Sequence, residues 1–144
     1  MAYEKPITIK EAVTSIQEQE YVLPSIQREF VWRPEQMEIL FDSLMRDYPI
    51  STFLFWKVKA ENIEKFKFYR FLKNYHERDS KHNEDADLSS EKDRIAILDG
   101  QQRLTSLYVG LKGSDARKLS NYHRKSDHAF PIKHLYLNLL DVAK

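Results

Sequence analysis

The sequence predicts a mixed α/β fold, a small mixed sheet with packed helices, and three observations point to it. Short apolar runs of strand length alternate with segments whose apolar residues recur at helical spacing. The stretch Ile95 to Leu111, IAILDGQQRLTSLYVGL, contains both patterns in succession. It opens on four apolar residues, breaks at Asp99-Gly100-Gln101-Gln102-Arg103, and resumes with Leu104, Leu107, Tyr108 and Leu111 at i, i+3, i+4 and i+7. That reads as a strand buried on both faces, a tight polar turn and a helix. Finally, no run approaches the ~20 apolar residues of a membrane helix.

The elements follow in order. Ile7 to Ile9 is a short strand or a lead-in. Thr8 and Glu11 have capping-box spacing, and Ala12, Val13 and Ile16 give a short helix ending near Gln19. Tyr21-Val22-Leu23 reads as a strand stopped by Pro24, and residues 25–33, SIQREFVWR, as a connector. Pro34 suits a first helical position, where its missing N–H costs nothing. Met37, Leu40, Phe41, Leu44 and Met45 form an apolar stripe, and the helix must stop before Pro49. Thr52 to Val58 is an aromatic-rich strand. Of the 38 residues from Lys57 to Arg94, 19 are Asp, Glu, Lys or Arg. Within that region Phe66, Phe68, Tyr69, Phe71, Leu72 and Tyr75 suggest an amphipathic helix over about 62–77, and residues 77–93 an exposed, mobile charged loop. Gly113 closes the helix after the central turn, residues 114–131 are polar and basic-leaning, and Leu135 to Leu140 reads as a closing strand.

The chain has 144 residues and is expected to form one domain over 1–144, the N-terminal part of a longer polypeptide. Its formal net charge of +1 makes no global commitment to nucleic acid. The absence of cysteine removes disulfides, thiol catalysis and cysteine-ligated zinc. The first residues, MAYEKPITIKEAV, carry acids and no long apolar core, unlike a signal peptide. A cytoplasmic location is the expectation. His123 and His128 are five apart, off any shared helical face, and no zinc-ligand spacing, P-loop, nucleophile elbow or HExxH occurs.

Chemistry is dense in two places: the Gln27-Arg28 connector and the Asp99-to-Arg103 turn. The turn is expected where a strand's carboxyl end meets a helix's amino end, and free N–H groups and the helix dipole favour anions there. Arg28, Arg33 and Arg103 are fork-shaped donors suited to phosphate or carboxylate. Asp99 could hold Mg²⁺ or a similar divalent cation, or orient a water. Gln101 and Gln102 can donate to phosphate or accept from ribose or base, and Gly100 permits close backbone approach. The set suits a nucleotide polyphosphate better than an apolar metabolite. Blander readings stand beside it: a helix cap for Asp99, and a surface pair or a salt bridge to Glu29 or Asp99 for Gln27-Arg28. Trp32 and Trp56 are most simply core.

Three segments, Leu23-Pro24-Ser25-Ile26-Gln27-Arg28-Glu29-Phe30-Val31-Trp32, Leu44-Met45-Arg46-Asp47-Tyr48-Pro49-Ile50 and Ile97-Leu98-Asp99-Gly100-Gln101-Gln102-Arg103-Leu104-Thr105-Ser106-Leu107, together resemble the N-terminal domain of the GmrSD family. These are modification-dependent (type IV) restriction proteins, and the resemblance runs from about Tyr21 to Leu140. It implies a ParB/sulfiredoxin-like fold and binding and hydrolysis of a nucleoside triphosphate. Gln27 and Arg28 match the first motif; Asp99, Gly100, Gln101, Gln102 and Arg103 match the second. On that resemblance Asp99 positions the metal or water, Arg28 and Arg103 hold phosphates, and Asp99, Arg103 and Gln102 form the catalytic set. It further implies coupling to DNA cleavage by an HNH-type nuclease domain, further along the chain or on a partner; no His-Asn-His arrangement is visible here. Two alternatives remain. One is a ParB-like DNA-binding or weakly nucleolytic module contacting phosphates through Arg117, Lys118, Arg124, Lys125 and Lys133. The other is an interaction module whose turn is only a cap.

Overall fold

The computed structural model describes residues 5–26, 29–89 and 91–140. Helix α1 spans Ile9–Gln17, with the Thr8 hydroxyl and the Glu11 side chain forming a reciprocal capping box. Strand β1 is Tyr21–Pro24, helix α2 Pro34–Met45 and strand β2 Leu54–Val58. A 3₁₀ turn over Ala60–Lys65 precedes the short strands β3 (Phe68–Tyr69) and β4 (Asn74–His76). Strand β5 is Arg94–Asp99, helix α3 Gln101–Lys112, and strands β6 and β7 are Ser114–Ala116 and Ile132–Lys133. The architecture is mixed α/β.

One sheet has the order β2-β5-β1-β3; β5 runs parallel to β1 and antiparallel to β2. A smaller sheet, β4-β6-β7, sits at the far end of α3. The larger sheet is buried on both faces, and the strand residues alternate accordingly. Tyr21, Leu23 and Ile97 pack with Ala12, Val13 and Ile16 of α1, Leu40 of α2, and Leu104, Leu107 and Tyr108 of α3. Val22 and Ala96 point to the other face, against Val58, Ile63 and Phe68. Val109, on the opposite side of α3 from that first cluster, packs with Phe30, Met37, Leu72 and Tyr75. Helix α3 is therefore buried all round from Leu104 to Val109. Such a helix lies inside the fold, not against its surface.

Three sequence expectations are corrected. No α-helix forms over 62–77; the stretch up to Lys65 is part of the 3₁₀ turn. The edge of β1 captures Phe68 and Tyr69 as a strand, in the register Leu23↔Tyr69 and Pro24↔Phe68. Phe71 joins the α1–α3 core while Leu72 and Tyr75 join the Phe30 cluster, so tertiary pairing overrides the local periodicity. Leu135 to Leu140 forms no strand. β7 ends at Lys133, the Leu140 N–H turns back onto the Asn138 side chain at 3.0 Å, and Leu139 and Leu140 are exposed. Leu111, expected on the core face of α3, is half exposed.

The charged segment 77–93 is exposed along most of its described length, yet it is tied to the sheets. The Arg70 N–H donates to Glu84 O at 2.8 Å and the Ala86 N–H to Phe68 O at 3.0 Å. Arg78 forks onto Asp79 and Asp127. Gly113 has a separate job. A Cβ there would lie 1.7 Å from the Lys73 carbonyl oxygen, so the chain after α3 can pass that backbone only as glycine.

The all-round burial of α3 yields a prediction. Leu107→Ala is expected to lower stability by ~2–5 kcal/mol, because it empties a filled position. Leu111→Ala, at a half-exposed site, is expected to cost under ~1 kcal/mol. Urea unfolding midpoints of the two variants check the difference, and equal losses would place the buried face elsewhere.

Candidate functional site

β5 is central in the larger sheet and α3 is the buried helix, so the turn between them is built into the interior scaffold. The chain reverses at Gly100, which has φ +90°, a left-handed conformation that side chains resist. A Cβ at Gly100 would also come within 2.2 Å of the Phe53 ring. Both the backbone angle and the close aromatic neighbour therefore require glycine at this position.

Each polar side chain of the turn then reaches a different part of the molecule. Gln101 is buried, and its amide donates to the Ile97 carbonyl at 2.6 Å, pinning the helix start to the strand it leaves. The Gln102 amide faces the connector after the first motif. Its Oε1 accepts from the Val31 N–H at 2.9 Å and the Trp32 N–H at 3.3 Å, and its Nε2 donates to the Glu29 carbonyl at 2.9 Å. Arg103 turns the other way. Its guanidinium donates to the carbonyls of Ile50 and Thr52, the latter at 2.8 Å, and stacks on Phe53 with its carbon 4.4 Å from the ring centroid. Gln101, Gln102 and Arg103 thus fasten the turn to β5, to residues 29–32 and to residues 50–53.

Asp99 differs from its neighbours. It ends β5 opposite Leu54 of β2, and its side chain is 70% exposed. Oδ1 accepts from the Gly100 N–H at 2.8 Å, and Oδ2 lies 3.9 Å from an Arg103 nitrogen, a loose approach at the surface. The first intrahelical bond of α3 runs from the Leu104 N–H to Gly100 O. The N–H groups of Gln101, Gln102 and Arg103 come before it, so the α-helical pattern gives them no partner. The outward chemistry of the turn is thus one carboxylate beside the positive end of a helix.

Gln27 and Arg28 lie outside the described residues. Glu29, which follows them in the sequence, is held by Gln102. Further contacts brace the same connector. Arg117 donates to Trp32 O at 2.6 Å, pairs with Asp115 at 3.1 Å and lies 4.4 Å over the Tyr75 ring. Burial pushes the Asp115 carboxyl upward, and the neighbouring Arg117 partly offsets that. The His82 ring nitrogen, from the charged segment, lies 2.5 Å from the Glu29 carboxylate. Arg33 caps α2, its N–H donating to the Gln36 side chain at 3.0 Å.

The structural partners Phe53, Ile50 and Thr52 carry no sequence signal. They act through backbone carbonyls or ring faces, which periodicity and motif spacing do not mark. Arg117, an expected phosphate contact in the DNA-binding alternative, is engaged inside the protein. No group of three or more His, Asp or Glu residues is arranged to hold a metal ion among the described residues. No helix among them is long and apolar enough to cross a membrane.

Gln102→Ala removes three hydrogen bonds to backbone. It is expected to cost ~1–3 kcal/mol and to speed amide hydrogen exchange at Val31 and Trp32 selectively. Exchange measured residue by residue checks this, and unchanged protection at those two amides would refute the clamp. Among proteins of known sequence, the chain is 36% identical over 94 residues to the uncharacterized protein MJ0686 of Methanocaldococcus jannaschii. The match takes in 65% of this chain and 15% of that relative's length. A family model described as the GmrSD restriction endonuclease, N-terminal domain, matches residues 9–140, the span that holds the turn, the connector and both sheets. The chain belongs to the GmrSD N-terminal domain family.

Proposed function

We propose that this chain is a nucleotide-binding, NTP-hydrolysing regulatory domain of a modification-dependent restriction endonuclease system. In this reading it controls DNA cleavage by an HNH-type nuclease domain that this sequence does not contain. The observation that carries the reading is the exposed Asp99 carboxylate beside three N–H groups at the start of α3 that have no intrahelical partner. A polyphosphate is the ligand chemistry that uses both. Its oxygens accept from the amides of Gln101, Gln102 and Arg103, and its charge is compatible with Asp99 only through a cation between them.

The donor set fits Mg²⁺ in this role. A single carboxylate supplies too little for a protein-only cage, but Mg²⁺ is commonly held by one or two carboxylates with substrate phosphates completing the shell. Asp99 would hold the ion, which when bound neutralises charge developing on the transferred phosphoryl group. Gly100 keeps the backbone close to the phosphates, because a side chain there has no room. Gln101 and Gln102 act as positioning residues through the bonds described above. Arg103 uses two donors on Ile50 and Thr52 and has five in all, which leaves donors for a phosphate oxygen. Gln27 and Arg28 would add phosphate or base contacts from the connector that Gln102 secures. The same family membership supports the ParB-like strand-turn-helix geometry as the frame for these roles.

Isothermal titration with ATP, GTP, CTP and UTP, each with and without Mg²⁺, tests the proposal. The expected result is Mg²⁺-dependent binding of at least one of them. Asp99→Ala should weaken it about tenfold or more and lower any NTP turnover by ~10²-fold or more. Heat from none of the four with a chain shown to be folded by circular dichroism overturns the nucleotide reading.

A further inference from the structure

At the other end of β5 from Asp99, the sheet carries a second feature of different chemistry. Leu54 pairs with Asp99 and Val58 with Arg94, so the far ends of β2 are ~13 Å apart along the strand. Beside Val58 and the following 3₁₀ turn lies a groove of about 400 Å³. Lys57, Lys59 and Lys65 line it together with Trp56, Phe66 and Asn62, and no carboxylate is among its described lining residues. Lys59 and Lys65 are exposed. Lys57 has only a loose surface pair, 3.7 Å from Asp93, which an incoming anion can replace. Phe66 is half exposed, and its ring stands edge-on to Trp56 with centroids 5.0 Å apart and planes at 81°.

These features select a ligand. Three ammonium groups, with the Asp93 carboxylate loosely paired to one of them, favour a run of phosphates, and as point charges they do not read base edges. The Trp56–Phe66 corner offers aromatic surface on which a planar base can stack, and stacking tolerates any base because each has a π-face. Asn62 is the one side-chain amide among the described lining residues, and its oxygen already accepts from Lys65 at 2.7 Å. The groove holds little more than one nucleotide, and in a duplex the base faces are covered by their neighbours. We infer that this groove binds single-stranded nucleic acid, stacking one unpaired base on Trp56 and Phe66 while Lys57, Lys59 and Lys65 contact the flanking phosphates. The site is separate from the Asp99 turn and stands whether or not that turn binds a nucleotide.

The test uses the 144-residue chain and fluorescently labelled dT12, followed by anisotropy across a salt series. Binding should weaken with a log–log slope of about −2, from three phosphate contacts at ~0.7 each. Lys59→Ala/Lys65→Ala should bring that slope to about −0.7 and weaken binding at low salt. Trp56→Phe should weaken binding about fivefold or more and remove the dT12-induced quenching of tryptophan emission. If Trp56→Phe fails to fold, the double lysine variant, altered only at exposed side chains, decides the matter. A double-stranded 12-mer binding as tightly as dT12, equimolar dTMP displacing dT12, or a lysine variant indistinguishable from wild type each overturns the inference.

Discussion

The reversal at Gly100 constrains everything around it. The central strand of the larger sheet must feed directly into a helix buried on all sides, with only one residue between them. A turn that short forces a left-handed backbone angle and brings the chain against Phe53. It also brings polar side chains to the edge of the core, where an unpaired amide or guanidinium is costly. Gln101 and Arg103 meet that requirement with backbone carbonyls, of Ile97 and of Ile50 and Thr52. The motif's residues therefore hold the fold together and present one carboxylate outward, and the two roles cannot be separated by composition.

The sheet then has two chemically distinct ends. At the carboxyl end of β5 stand Asp99 and the positive pole of α3, the place proposed above for a compact polyanion with its cation. At the amino end stand Lys57, Lys59 and Lys65 beside Trp56 and Phe66, the groove inferred above to bind an extended polyanion with planar groups. β5 and β2 connect them as adjacent strands, so each end rests on the same hydrogen-bonded ladder. The charged segment reaches the first of these ends through His82 and Glu29, which places a solvent-facing stretch against the connector.

Much of this was legible in the sequence where local chemistry decides the outcome. The capping box at Thr8, Pro34 at the head of α2, the strand at Tyr21 and the Ile95–Leu111 unit all form close to where propensity and periodicity put them. The helix expected over 62–77 was not legible, because Phe68 and Tyr69 answer to the free edge of β1, a partner more than forty residues away in sequence. The strand expected at Leu135–Leu140 lacked a partner among the described residues, which apolar content alone does not reveal. At the turn the residue types pointed to an anion-friendly address. The engagement of Gln102 and Arg103 was hidden, because their partners are backbone groups that every residue carries.

Gln102 ties the turn to residues 29–32 by gripping N–H and C=O groups, not side chains. The identities of residues 29 and 31 are therefore free of the clamp: substitutions there that preserve the backbone path leave all three bonds intact. Lineages can alter the chemistry the connector offers to ligands or partners while the frame that aims it stays fixed. The glutamine itself has no such latitude, since it must accept from two groups and donate to a third from a single planar amide. A site built this way separates what it displays from how it is held, and can diversify in the first without renegotiating the second.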